Sequence, residues 1–376
     1  MNFNYYLPVN IIFGRGKVAQ IGEITKAYGK KALIVTGGNS SKKSGLLDRV
    51  ISYLTEAGIE SDVYDKVKQN PLTTTAMDGA SFAKEHTCDV VVALGGGSIM
   101  DCAKAIAFLA VNEGDVNDYI FNIKQSDKAL PCILVPTTCG TGSEGNGFAV
   151  LTNPVTGDKK SLRCNAIIAK ASIVDSELME TMPKSILASV GFDAFCHSLE
   201  AYISKTAQPF TEIMCLYAMQ LTGKYLIPLY KGDTSPQAWD ALSLASTIGG
   251  MVIHTAGVTV SHGLEHPASG LKDLVHGKGL AALTPVVVEE SIKGCPEKFA
   301  KVSQCIGGKD ETDCTKQIRN LLEKLDLSIG LKEQGIKEED IEWMVENAFK
   351  VSTAGIANHP VTFTKEDVIR IYKKSM

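Results

Sequence analysis

The sequence predicts two domains in series: an α/β domain on a parallel sheet over residues 1–180, then an all-helical domain over residues 181–376. Two observations predict this. Short runs of uniformly apolar, β-branched residues stop at glycines or threonines and give way to helical spacing, as strands covered on both faces do. After about residue 180 such runs cease, and only helical periodicity continues.

In order, residues 31–36 (KALIVT) read as a strand stopped by Gly37-Gly38, residues 46–57 as a helix, and residues 62–64 as the start of another strand. Residues 77–85 are helical, and 89–94 (DVVVAL) form a strand ending in Gly95-Gly96-Gly97-Ser98, which opens a helix over 100–110. Residues 131–136 (PCILVP) are a further buried strand, ending in Thr137-Thr138. The composition changes near residues 179–183. Beyond it, segments 184–203, 210–230, 238–254, 285–292, 296–305, 313–325 and 338–353 all favour helix, punctuated by Pro183, Pro209 and Pro267.

Composition excludes several classes. The 376 residues carry a net charge of −4, with 44% hydrophobic and 21% charged residues, so no polyanionic partner such as nucleic acid is expected. Ten cysteines are scattered without a CxxC pair, which fits reduced thiols rather than a zinc ribbon or a disulfide framework. The N-terminus lacks a basic region followed by an apolar run, and no apolar stretch approaches the ~18 residues of a membrane helix. A cytoplasmic protein without membrane partners is the expectation.

Two loops have the chemistry to hold phosphate. In an open α/β sheet, ligands sit at the carboxyl ends of the strands, where helix N-termini offer free N–H groups. Gly95-Gly96-Gly97-Ser98 follows a strand and opens a helix. Residues 137–144 (TTCGTGSE) also follow a strand, and Gly140–Gly145 is a literal GxGxxG. Each alone is consistent with a tight turn, but together they predict a dinucleotide. The first βα turn indicates which one. Gly37-Gly38-Asn39-Ser40-Ser41-Lys42-Lys43 contains small donors and two lysines but no acid to hold a ribose diol, so NADP is favoured over NAD. Solvated surface is the alternative role for both lysines.

Three of the seven histidines fall in residues 261–277 (SHGLEHPASGLKDLVHG). Asp193 and His197 are four apart in a predicted helix and leave one face. His262 and His266 repeat that spacing, and His276 follows ten residues later. An aspartate with three histidines suits Zn²⁺ or Fe²⁺. A rival is the zinc-protease motif HxxEH, matched by His262-Gly263-Leu264-Glu265-His266, although Pro267 is expected to end or kink that helix. A protease gives no role to two glycine loops on a parallel sheet.

With these residues assembled, the chain resembles the iron-containing (group III) alcohol dehydrogenases from end to end. The resemblance rests on GGGSIMDCAK (95–104), PTTCGTGSE (136–144), IVDSELMETMP (173–183), GFDAFCHSLEAYIS (191–204) and the histidine stretch. It implies a Rossmann-like dinucleotide-binding domain, a helical domain of the dehydroquinate synthase-like type, and an active site in the cleft between them. By resemblance, Asp193, His197, His262 and His276 are the metal ligands, and His266 is a non-ligand histidine facing substrate and nicotinamide. Gly95, Gly96, Gly97 and Ser98 hold the pyrophosphate with Asp101 nearby. Thr137, Thr138, Gly142 and Ser143 line the phosphates and nicotinamide side, and Lys159 (or Lys160) reaches into the cleft. The implied reaction is hydride transfer between nicotinamide C4 and a short or medium-chain alcohol or aldehyde, with His266 relaying the proton. A homodimer or higher multiple is implied too.

The departures from the family pattern are specific. Gly37 stands where NAD-preferring members often carry Asp. Cys139 replaces a small residue, Glu265 an apolar or small one, and Val275 a proline before the last ligand. 3-Dehydroquinate synthase shares the fold but needs a basic cluster for a substrate phosphate, and the cleft motifs offer one lysine. Glycerol dehydrogenase has fewer ligands, and a non-enzymatic binding module is the third class. His86, His254 and His359 are assigned structural or surface roles.

Overall fold

The computed structural model describes residues 2–376. Six strands form one parallel sheet: β1 (Asn10–Phe13), β2 (Lys31–Gly37), β3 (Glu60–Val67), β4 (Val90–Gly95), β5 (Cys132–Pro136) and β8 (Ala171–Val174), in the order β1-β8-β5-β4-β2-β3. The remaining two, β6 (Phe148–Thr152) and β7 (Lys159–Arg163), form a separate antiparallel hairpin. Strands β4 and β5 are buried at every position, as their unbroken apolar sequences require. They lie side by side, so the loops that follow them meet at the carboxyl edge of the sheet.

From Lys184 onward the described residues are helical, with no strand among them. Helix Lys184–Ile203 is buried around nearly its whole circumference and packs against helices Pro209–Tyr230, Pro236–Ala256 and His276–Ser291. No single described helix is long and apolar enough to cross a membrane.

Helix Val260–Lys272 departs from the expected stop at Pro267, which lies inside it. Proline removes one ladder hydrogen bond and crowds the carbonyl four residues back. That carbonyl belongs to Gly263, and the next turn is pinned from outside by the Tyr372 hydroxyl, which donates to Leu264 O at 2.7 Å. The helix ends at Lys272, followed by Asp273 in the left-handed region at φ 52°.

The helical half is seated against the sheet at a contact between glycines. A Cβ on Gly250 would lie 1.8 Å from the Gly142 carbonyl oxygen, so the loop after β5 can rest on helix Pro236–Ala256 only because both residues are glycine. Gly142 also has φ +57°, which favours glycine independently.

Candidate active site

Asp193, His197 and Glu200 fall at i, i+4 and i+7 of helix Lys184–Ile203, hence on one face. His262, Glu265 and His266 share a face of helix Val260–Lys272, and His276 is the first residue of helix His276–Ser291. Gly277 brings that last helix in, since a Cβ there would lie 2.1 Å from the Ser189 carbonyl oxygen.

The four residues named as ligands converge on one point. Asp193 Oδ1 lies 3.4 Å from His262 Nε2 and 3.6 Å from both His197 Nε2 and His276 Nε2. Ligands about 2.1 Å from a tetrahedral ion are roughly 3.4 Å apart, so the three distances to Asp193 Oδ1 match the spacing of a coordination shell. The donor atoms of Asp193, His262 and His276 lie within 4.8 Å of one another, while His197 stacks on the His262 ring with centroids 4.6 Å apart. Asp193 Oδ1 and His262 Nε2 are buried without a hydrogen-bond partner, as atoms meant for a cation would be.

Charge balance points the same way. Asp193, Glu200 and Glu265 are buried carboxylates around this point, and Lys159 is the one buried lysine beside them. With neutral histidines, three negative charges against one positive leave two uncompensated, which a divalent ion would offset. Two of the carboxylates act through histidines. Glu200 Oε1 is 2.5 Å from His262 Nδ1, and its other oxygen accepts from the Thr259 amide (2.6 Å) and hydroxyl (2.9 Å). Glu265 Oε2 lies 2.6 Å from His276 Nδ1 and 3.6 Å from Lys159 Nζ, while Ser269 Oγ donates to Oε1. Burial opposes ionisation of Glu265, but the His276 and Lys159 charges outweigh it and hold the carboxyl below its ordinary range.

Glu265 is therefore spent on His276 rather than poised as a protease base, and the HxxEH reading loses its catalytic carboxylate. Burial, reinforced by the Lys159 charge, lowers the His266 pKa well below its usual value, so the imidazole is neutral at rest. Asn70 ties Lys159 into the structure, accepting from its Nζ at 3.0 Å and donating to Asp273 Oδ1 at 2.7 Å. Of the two lysine assignments, Lys159 lines the cleft beside the histidines, and Lys160 donates instead to Val351 O at 2.8 Å.

On the sheet side, helix Gly97–Leu109 opens at the end of β4. Gly97, Ser98, Asp101 and Ser143 line the same cleft as His197, His262, His266 and His276. Asp101 accepts from Ser143 Oγ at 2.5 Å and from Val150 N at 2.9 Å, locking the loop after β5 to the hairpin. Lys104, fully buried, donates to Ser143 O at 2.9 Å and holds that loop from beneath. Gly95, Gly96, Thr137, Thr138 and Gly142 lie in the loops but do not line the cleft itself. A Cβ on Gly96 would lie 2.8 Å from Thr138 Oγ1, so the two loops pack on each other.

Gly37 closes β2, beside β4, with Gly38, Asn39 and Ser40 following it. Lys42 pairs with Asp65, and Lys43 is exposed. The structure also brings in residues that the sequence does not single out: Asn70, with Phe148 and Arg163 of the hairpin, line the cleft, and Glu200 and Lys104 brace it from behind. Glu200 had a signal, a carboxylate three residues after His197 on one helix face. Arg163 had none.

A parallel sheet with glycine loops facing a His₃Asp cluster has the parts of a nicotinamide-linked, metal-dependent oxidoreductase. The model of iron-containing alcohol dehydrogenases matches residues 8–176, and that of the C-terminal part of the Fe-containing alcohol dehydrogenase family matches residues 187–376. The chain is 33% identical to the 1,3-propanediol dehydrogenase of Klebsiella pneumoniae, over 99% of this chain and 98% of that protein. It is 31% identical to the NAD-dependent methanol dehydrogenase of Bacillus methanolicus, over 99% and 100% respectively. It superimposes on an archaeal alcohol dehydrogenase from a Red Sea brine pool with a TM-score of 0.95 and 35% identity, covering 100% of this chain and 99% of that one. The chain belongs to the iron-containing alcohol dehydrogenase family. Its activity is that of an alcohol dehydrogenase linked to a nicotinamide cofactor.

Proposed function

We propose that the protein interconverts short or medium-chain aldehydes and alcohols using NADP(H) in preference to NAD(H), with a ferrous or zinc ion held by Asp193, His197, His262 and His276. The observation that carries this reading is the convergence of three imidazole nitrogens on Asp193 Oδ1, in a cleft that Gly97 and Ser98 also line. A bound ion supplies Lewis acidity toward the substrate oxygen, and the nicotinamide supplies or accepts the hydride. The protein's own part is positioning and proton movement. His266, uncharged and at the edge of the ligand cluster, takes up the proton of the alcohol during oxidation and returns it during reduction.

The cofactor preference is argued from the end of β2, where Gly37 provides no carboxylate to repel a 2′-phosphate and Lys43 stands exposed. The methanol dehydrogenase relative is NAD-dependent by name, so this is a point on which the chain is read to differ from it. Self-association is proposed through Phe210, Ile213 and Tyr217, which are exposed along one helix beside Phe3. A cytoplasmic site of action is part of the same reading.

Elemental analysis of anaerobically purified protein, paired with NADPH consumption on a panel of aldehydes, tests the proposal. One equivalent of iron or zinc per active chain is expected. Full activity in metal-stripped protein would overturn it.

A further inference from the structure

The cleft has a second lobe that hydride transfer leaves without a role. It has a volume of about 250 Å³, and its wall runs from His266 past Ser161 and Asn122 to the junction of helices Ile341–Val351 and Thr353–Asn358. Among its lining residues the only side chains with a permanent charge are Lys160 and Arg163, and no carboxylate joins them. Neither cation has a carboxylate oxygen within 4.0 Å among the described residues. Lys160 Nζ donates to Val351 O at 2.8 Å, and the Arg163 guanidinium lies 4.6 Å over the Phe148 ring. Nearby Lys350 shows the contrast, paired with Asp158 at 2.7 Å.

The two cations act on each other. Burial lowers the Lys160 ammonium below its ordinary value and the charge of Arg163 lowers it further, while Asp158, beyond ion-pair distance and paired with Lys350, opposes this only in part. Lys160 is half-buried and Arg163 is exposed at the rim of the lobe, so the pair leaves a local positive charge that an anionic ligand would offset. Arg163 belongs to both lobes, and so does His266. One molecule can therefore reach from Arg163 to the position beside His266.

We propose that this lobe binds the anionic end of the substrate, so that the preferred aldehyde carries a carboxylate, sulfonate or phosphate group. The inference rests on the dehydrogenase reading and names its substrate class. Arg163 would form the paired contact, Lys160 a second point charge, and Asn122 and Ser161 neutral donors.

The test compares three anionic aldehydes, 4-oxobutanoate, 2-oxoethanesulfonate and glycolaldehyde phosphate, with 4-methylpentanal, a neutral match to the first in size and shape. At least one anionic substrate should exceed 4-methylpentanal in kcat/KM by about tenfold or more, the scale of one charge-assisted hydrogen bond. Which of the three does so identifies the anion. Arg163→Met should reduce that ratio about tenfold, chiefly through KM, and Arg163→Lys should retain most of it. A ratio near one for all three, or one unchanged in both Arg163→Met and Lys160→Met, overturns the proposal. Calorimetric titration of the metal-loaded protein with succinate separates the two readings. Succinate binding that depends on Arg163, without reduction of any aldehyde, supports the anion site and removes the dehydrogenase reading. Reduction of 4-methylpentanal with no anionic preference and no succinate binding does the reverse.

Discussion

His262 turns Nδ1 toward Glu200 Oε1 at 2.5 Å and thereby presents Nε2 to Asp193 Oδ1 at 3.4 Å. An ionised carboxylate can only accept, so whenever His262 is neutral Glu200 fixes the tautomer in which Nε2 has a free lone pair. Glu200→Gln should weaken metal retention by about 10–100-fold, the usual effect of losing such an outer partner. Competition with a chromogenic chelator measures it, and wild-type retention would show that the Asp193 cluster orients itself.

The same pair sets the pH dependence of metal uptake. In the metal-free protein, burial lowers the His262 pKa, but Glu200 and Asp193 outweigh it and raise the value to about 10. A raised histidine pKa stabilises the fold fully below its unfolded value and loses that contribution as pH climbs toward the folded value. Below that folded pKa, an entering ion must displace the proton. Apparent affinity should rise about tenfold per pH unit from neutrality toward pH 9, with one proton released per ion bound. Calorimetry in buffers of different ionisation enthalpy counts that proton, and uptake independent of pH would contradict the coupling.

His266 and His262 are assigned different roles although they sit four residues apart on one helix. His262 Nε2 faces Asp193, whereas the His266 ring stands nearly perpendicular to that of His262, with centroids 6.3 Å apart. His266→Ala should lower kcat by about 10²–10⁴-fold, the range for loss of a general acid–base group, with metal content intact. His262→Ala should lose the metal together with activity. Metal loss in the His266 variant would make His266 a ligand and leave the relay without a residue.

How much of this was legible follows from where each residue gets its neighbours. Strands β2, β4 and β5 were readable because burial on both faces leaves an unbroken apolar signature. The hairpin was not, because residues 159–163 place Lys159, Ser161 and Arg163 toward the cleft, so polarity falls where an ordinary strand shows its apolar face. Glu265 was conspicuous but unexplained, since its partner His276 lies on a different helix, across a left-handed turn at Asp273 that the spacing does not reveal. Family likeness supplied the candidate ligand set. The outer carboxylates and the cations of the second lobe needed the packed structure.

Cofactor choice can be tested at a single atom. A Cβ on Gly37 would meet Ile99 Cδ1 at 3.2 Å and Val67 O at 3.3 Å, tight contacts that a small shift relieves. Gly37→Asp should therefore fold and place a carboxylate at the end of β2, where it repels a 2′-phosphate and can accept from a ribose diol. The ratio of kcat/KM for NADPH over NADH should drop by about tenfold or more, on the scale of one charged hydrogen bond. A wild-type enzyme that already favours NADH would refute the premise.

The glycine contact between the halves gives a prediction about stability that does not involve the metal. Gly250→Ala puts a methyl 1.8 Å from the Gly142 carbonyl oxygen, and neither backbone can retreat easily. The loop it strikes also carries Ser143, which Asp101 and Lys104 hold in place, so displacement there disturbs the cofactor side of the cleft. Overpacking of this kind costs about 1–3 kcal/mol or more, and the helix propensity of alanine returns at most about 1 kcal/mol. Denaturant midpoints should fall in Gly250→Ala, and the KM for the nicotinamide cofactor should rise while metal content stays at the wild-type level. Alanine at Gly249 is the internal control. Its Cβ would come no nearer than 3.4 Å to any neighbour, so that variant should be neutral or slightly stabilising. Equal behaviour of the two variants would mean that the loop after β5 does not rest on this helix as described.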